Sequence, residues 1–174
     1  MNKLSTAKKV AYLGIFSSLA AIFSYVECLI PISIGGIPGI KPGIANLVSL
    51  IILCIDGLPA AIIIMTVRVI LVGAMFGNLY SIIFSFTGGL ISILMMAFLK
   101  KTDKFSIVGI SAGGGAFHNI GQYVVAVITL DEIDLFYYLP LLIVAGLFFG
   151  IIIGFLSNEI IRRIFKDSVR GCKR

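Results

Sequence analysis

The sequence predicts an all-α integral membrane protein of six transmembrane helices with both termini in the cytoplasm. Of its 174 residues, 59% are apolar and 13% are charged, against about 25% charged in an ordinary soluble domain. The mean hydropathy is +1.12. Six spans of about 20 residues with short connections need roughly 150 to 170 residues. We therefore expect one membrane domain over residues 1–174, which excludes a soluble enzyme carried on a membrane anchor.

Apolar segments divide the chain into six predicted spans, and the second of them is short. The segment before that span, residues 31–42, holds three prolines and three glycines, which predicts a structured loop. If the second span were re-entrant, the count would fall to five. The predicted spans cover about residues 10–30, 43–55, 59–76, 78–99, 105–130 and 138–164.

The distribution of lysine and arginine predicts the orientation. Twelve of the fourteen lie in three places, namely residues 3–9, the connection 100–104 and the tail from residue 162. With six spans all three places fall on one side, and the positive-inside rule makes that side the cytoplasm of a multi-pass protein in the cell membrane. A count of five would put the basic tail outside. These few cations build no basic face for nucleic acid.

Small residues recur at helical spacing in several predicted spans. Gly146, Gly150 and Gly154 follow one another every four residues, and Ser81, Ser85, Gly88 and Ser92 form a stripe on the fourth span. Such stripes let helix backbones approach closely in lipid. We expect them to pack helices of this chain together, whereas the small residues of the first span favour either internal packing or a second membrane subunit.

Cysteine and histidine give no sign of a metal site. The three cysteines, Cys28, Cys54 and Cys172, are odd in number and lack a CxxC spacing, so no disulfide framework is predicted. Cys28 and Cys54 are expected to pack as small apolar residues. The chain's one histidine has no cysteine nearby and cannot complete a zinc shell. No metal or cofactor is expected.

Arg68 is the most informative polar residue, because it lies near the middle of the third span with no charged neighbour in sequence. A charge inside a bilayer is costly unless it has a partner or faces water. Two interpretations stay open. Arg68 forms a structural pair with Glu27 of the first span, or it binds an anion in a cavity. Both hold in turn if a ligand displaces Glu27.

The fifth span carries a second polar cluster, His118, Asn119 and Gln122. His118 and Gln122 are four residues apart and share a helical face, on which Ser111 also lies. The glycines at 113–115 leave room for a ligand or for a neighbouring helix. Mid-span amides often bond one helix to another, but three polar residues within five favour a ligand site.

Further polar residues are predicted near the outer ends of the spans. Together with Arg68 and the cluster on the fifth span they predict a cavity that opens outward, with residues 31–42 and 131–136 as candidate covers. The predicted substrate-binding residues are Glu27, Lys41, Asn46, Arg68, Asn78, His118, Asn119 and Gln122.

Several of these residues carry a resemblance to a known family. Tyr25-Val-Glu27, Gly39-Ile-Lys41-Pro-Gly43-Ile-Ala-Asn46, Arg68, Phe84-Ser-Phe-Thr-Gly88-Gly89, His118-Asn119-Ile-Gly121-Gln122 and Tyr138-Leu-Pro140 resemble the Gx transporter family, which is also labelled heptaprenyl diphosphate synthase component I. More distantly, the chain resembles the S components of energy-coupling factor transporters. That resemblance implies an S-component-like helix bundle and a substrate-capturing subunit, of the kind that pairs with a transmembrane coupling subunit and cytoplasmic ATPases.

The chain's own residues do not predict an enzyme. Prenyl synthases hold diphosphate through magnesium on aspartate-rich motifs, and Asp131-Glu132-Ile-Asp134 is the nearest approach to one. A phosphate-binding Walker motif is also missing. We expect a transporter subunit that binds a small anionic ligand, such as a vitamin-like, flavin or isoprenoid compound. The alternative is a non-catalytic membrane subunit of heptaprenyl diphosphate or quinone synthesis, or of a membrane redox system.

Overall fold

The structure is a computed structural model that describes residues 6–29, 43–130, 137–165 and 172. Within those ranges the chain is helical and contains no strand, which confirms the predicted all-α class. Each of the six apolar segments contains one helix. The helices are α1 Thr6–Leu29, α2 Asn46–Ile55, α3 Leu58–Phe76, α4 Leu79–Lys101, α5 Ile107–Leu130 and α6 Leu139–Ile164.

Four helices of the described chain, α1, α3, α4 and α6, are long and apolar enough to cross a membrane. The fifth, α5, has 24 residues, but its glycines and its polar cluster lower its apolarity. The second, α2, has only 10 residues and extends about 15 Å, half of the roughly 30 Å hydrocarbon core. The chain is therefore a multi-pass helical membrane protein, and α2 is too short to cross the hydrocarbon core by itself.

Local sequence explains where the helices begin and end. Pro59 and Pro140 lie in the first turns of α3 and α6, where proline's missing N–H leaves no bond unmade. The side chain of Asn78 accepts a hydrogen bond from the Ser81 N–H at 2.8 Å and caps α4. Lysines end α4 and arginines end α6, where cations favour the negative end of the helix dipole.

The short helix α2 lies at the centre of the bundle. Residues 46–54 are all buried, and α2 packs against α1, α3, α4 and α6. Its N-terminal end is deep, because Gly43 faces the side chain of Ile153, which lies midway along α6. Gly43 has φ +75°, a backbone conformation that glycine adopts without strain. At the other end, the Lys100 ammonium donates to the Leu53 carbonyl at 2.6 Å.

Small residues join α5 to α6, as the glycine spacing predicted. A methyl group on Gly146 would meet the backbone of Gly115, and one on Gly150 would meet the backbone of Ala112. The two helices therefore pack backbone to backbone, which only small residues permit. The glycines at 113–115 make room for neighbouring helices, since methyl groups on Gly113 and Gly114 would clash with side chains of α4.

The expectation of no disulfide is wrong. Cys54, near the C-terminal end of α2, is bonded to Cys172. The two residues are 118 positions apart, and an odd cysteine count without a CxxC spacing carried no sign of the pairing. Both cysteines are buried in the apolar core.

This bond makes a direct prediction about thiol counts. Alkylation of the denatured protein without reductant should modify two fewer cysteines than alkylation after reduction, because a disulfide does not react. In a Cys172→Ser variant the difference should vanish. Intact-protein mass spectrometry measures both counts, and equal alkylation before and after reduction of the wild-type protein would contradict the bond.

Candidate functional site

Arg68 of α3 lies inside the bundle and is only 5% exposed. Its Nη1 donates to the Ser24 hydroxyl of α1 at 2.6 Å, and its Nη2 donates to the Asn46 amide oxygen of α2 at 3.2 Å. Its Nε finds no hydrogen-bond partner among the described residues. The guanidinium is thus positioned by neutral oxygens from two helices and keeps donor capacity for another acceptor.

Glu27 lies one turn beyond Ser24 on α1 and is also buried. Its Oε1 accepts the backbone N–H of Ile44, in the turn that leads into α2. The Glu27 carboxylate also interacts electrostatically with Arg68. A carboxylate is stabilised there, because helix N-termini carry partial positive charge and Arg68 adds a full one.

A cavity joins these groups. The space open to the centres of water molecules is about 40 Å³, which accommodates a few waters. Polar side chains from five helices form its walls, together with glycines and apolar side chains of α3. The lining residues are Ser24, Glu27, Gly43, Asn46, Arg68, Val69, Val72, Gly73, Phe76, Gly77, Ser81, Ser85 and His118.

A second, smaller cavity lies beyond the first. It offers about 10 Å³ to water centres, roughly the space of one water. Ser92, Ser111 and Asn119 line it, and it shares Asn46 and His118 with the first cavity. His118 therefore stands where the two cavities meet, and polar side chains continue from α1 to α5 through the bundle interior.

The structure brings together four of the predicted site residues, Glu27, Asn46, Arg68 and His118, around the first cavity. Lys41 lies outside the described residues, as do the loop 31–42 and the acidic residues Asp131, Glu132 and Asp134.

The other predicted residues have different surroundings. Asn119 lines the second cavity. Its amide N–H donates to the Leu142 carbonyl of α6 at 2.8 Å, and this hydrogen bond joins α5 to α6. Gln122 packs against Gly88 of α4 and lines neither cavity. Its Nε2 is buried without a hydrogen-bond partner in the described part of the chain. Asn78 is exposed at the start of α4, where its side chain caps the helix.

Sequence reasoning missed Ser24 as a partner of Arg68. The signal was present, because Ser24 precedes Glu27 by three residues and therefore shares its helical face. Ser81 and Ser85, noted only as packing residues, line the cavity. Among the described residues no three histidine, cysteine or acidic side chains come together as metal ligands.

The fold and the site define a class, a multi-pass helical membrane protein with a buried arginine and a buried carboxylate facing one interhelical cavity. The chain belongs to the family described as heptaprenyl diphosphate synthase component I, whose model matches residues 16–160. That range contains every described residue that lines the first cavity. Neither the curated proteins nor the solved structures include a significant match to the chain.

Proposed function

We propose that this protein is the substrate-binding membrane subunit of a transporter, similar to an S component, and that it takes up a small anionic ligand. The observation that carries the proposal is Arg68, buried at the cavity with an Nε–H that no described residue accepts. A guanidinium recognises carboxylate and phosphate through several parallel hydrogen bonds. Its burial cost of about 2.5–3.5 kcal/mol on insertion scales is consistent with a functional role.

The proposal includes six crossings with both termini in the cytoplasm and a cavity that opens outward. The basic connection 100–104 and the basic N-terminal residues share one side only if an even number of crossings separates them. Counting α2 gives four crossings up to that connection, whereas omitting α2 gives three. The positive-inside rule therefore supports α2 as part of a crossing, although the helix itself is short.

Single-cysteine labelling tests this topology. We expect a cysteine at Lys101 to react with a membrane-impermeant maleimide only after the cells are opened, and a cysteine at Asp134 to react in intact cells. The cysteine-free protein is the control for background labelling. Reaction of both positions from the same side would contradict the six-crossing arrangement.

The second candidate is a non-catalytic membrane subunit in heptaprenyl diphosphate or quinone synthesis, or in a membrane redox system. The family description favours heptaprenyl diphosphate synthesis among these. A diphosphate is an anion that Arg68 is suited to bind, so the ligand chemistry alone does not separate the two candidates. Their partners do. Co-purification with a transmembrane coupling subunit and cytoplasmic ATPases supports the transporter, and co-purification with a soluble prenyl synthase supports the alternative.

The ligand itself is the most direct test. We expect the protein purified in mild neutral detergent to retain a small molecule with a carboxylate or phosphate group, which mass spectrometry detects after the protein is denatured. The same purification of an Arg68→Ala variant is the control for nonspecific carry-over. A cationic or uncharged ligand, recovered equally from both proteins, would contradict the proposed recognition by Arg68.

A further inference from the structure

We propose that Glu27 is an internal anion that occupies the binding position of the ligand's charged group, here called the seat. An anionic ligand then binds only by displacing the Glu27 carboxylate. This inference rests on the proposed function and adds to it a competitor built into the chain. It also commits to the chemistry of the ligand group, a carboxylate or a phosphate that takes over the hydrogen bonds Glu27 now makes.

The seat is the turn at the N-terminal end of α2. The Ile44 N–H donates to Glu27, and the turn closes through a hydrogen bond from the Asn46 N–H to the Gly43 carbonyl at 2.8 Å. The positive φ of Gly43 shapes this turn. Because α2 begins deep in the bundle, the positive end of its dipole points at the cavity interior, where little water screens it. Broken helices in transporters present N-termini to anionic substrates in this way.

Arg68 is the second and independent feature of the seat. Arg68 is only 5% exposed and lines the same cavity as Glu27, and its Nε has no hydrogen-bond partner among the described residues. The seat therefore combines a backbone donor with a cation whose Nε–H can donate one more hydrogen bond to an oxygen. In this structure the Glu27 carboxylate accepts the hydrogen bond from the Ile44 N–H and interacts electrostatically with Arg68.

The cavity is too small to hold both the Glu27 side chain and a ligand, so the ligand must displace Glu27. With Glu27 in place, about 40 Å³ is open to water centres, enough for a few waters and too little for an organic anion. Two carboxylates beside one arginine would also repel each other. Movement of the Glu27 side chain relieves both constraints, since it vacates volume next to Ile44 and leaves one anion beside Arg68.

Displacement of Glu27 is tested by measuring the affinity of the purified full-length protein for anions in neutral detergent. Inorganic phosphate, pyrophosphate and acetate serve as separate probes. A Glu27→Gln variant keeps the shape of the side chain but removes its charge, and charge-assisted hydrogen bonds are roughly twice as strong as neutral ones. We expect it to bind the preferred probe about tenfold more tightly than the wild-type protein. Glu159→Gln is the matched control, because Glu159 is exposed and pairs with Arg163 on the surface of α6; its affinity should equal that of the wild type.

The outcomes separate the inference from the proposed function. If the wild type binds a probe, Arg68→Ala does not, and Glu27→Gln binds equally or more weakly, Glu27 does not compete and only the inference is overturned. If neither the wild type nor Glu27→Gln binds any probe, the anion site itself is wrong and the inference fails with it.

A measurement on the wild-type protein covers the case in which Glu27→Gln does not fold. Displacement should expose the Glu27 carboxylate, so a water-soluble carbodiimide with an amine should label Glu27 more in saturating probe than without it, as read from peptide masses. Labelling of Glu159 in the same sample corrects for reagent consumed by the probe. Unchanged or reduced labelling of Glu27, relative to Glu159, would overturn the displacement.

Discussion

An Arg68→Ala variant is expected to lose binding of the anionic ligand and to be less stable than the wild-type protein. The substitution removes the donors to Ser24 and Asn46 and a positive charge that interacts with the buried Glu27 carboxylate. Loss of a hydrogen bond to a charged group costs about 1.5–3 kcal/mol in binding, which is roughly a 10- to 150-fold weaker affinity. Removal of one partner from a buried charged pair destabilises a fold by about 3–5 kcal/mol. Ligand titration and thermal unfolding in detergent measure the two effects.

Two further variants separate binding from folding. Arg68→Lys keeps the charge but loses the planar fork of donors, so we expect a folded protein with weakened binding. Arg163→Ala is the matched control, because Arg163 is 78% exposed and its pair with Glu159 lies on the surface, where such pairs contribute little. An Arg68→Ala protein with the unfolding midpoint and the ligand affinity of the wild type would contradict the role of Arg68 in an anion-binding site.

The helical class was readable from the sequence, because hydropathy over long segments depends on composition and not on contacts. The same reasoning predicted that Arg68 pairs with Glu27 or faces a cavity, since a charge in a span needs a partner or water, and both residues line the first cavity. It also predicted that the second span is short, but it did not predict that α2 is buried on all sides. A hydrophobic segment is compatible with contact to lipid or to other helices, because its sequence does not record which neighbours surround it.

Contacts between distant residues were the other limit. Gln122 shares a helical face with His118, yet it packs against Gly88 and lines neither cavity, since cavity position depends on how α4 approaches α5. The bond between Cys54 and Cys172 likewise depends on where the tail returns to α2. Periodicity along one helix predicts which residues share a face, but it does not predict what that face meets.

A Gly146→Ala variant is expected to disrupt the packing of α5 on α6, although it adds a single methyl group. That methyl carbon would lie 2.5 Å from the Gly115 carbonyl oxygen and 2.9 Å from the Ala116 Cα. Both are backbone atoms, so the helices must move apart instead of one side chain turning aside. Overpacking costs typically 1–3 kcal/mol, and a backbone clash belongs at or above the upper end of that range.

Gly14→Ala is the matched control, because an added Cβ there meets nothing within 4 Å, and replacing an exposed helical glycine by alanine stabilises a helix by about 1 kcal/mol. Thermal unfolding in one detergent should therefore show a lower midpoint for Gly146→Ala and an equal or higher midpoint for Gly14→Ala. Equal midpoints for the two variants would mean that α5 and α6 are not in backbone contact. Because Asn119 bonds to α6 through the Leu142 carbonyl, separation of these helices should also shift α5 and with it His118, so the Gly146→Ala variant should bind anionic probes more weakly even where it remains folded.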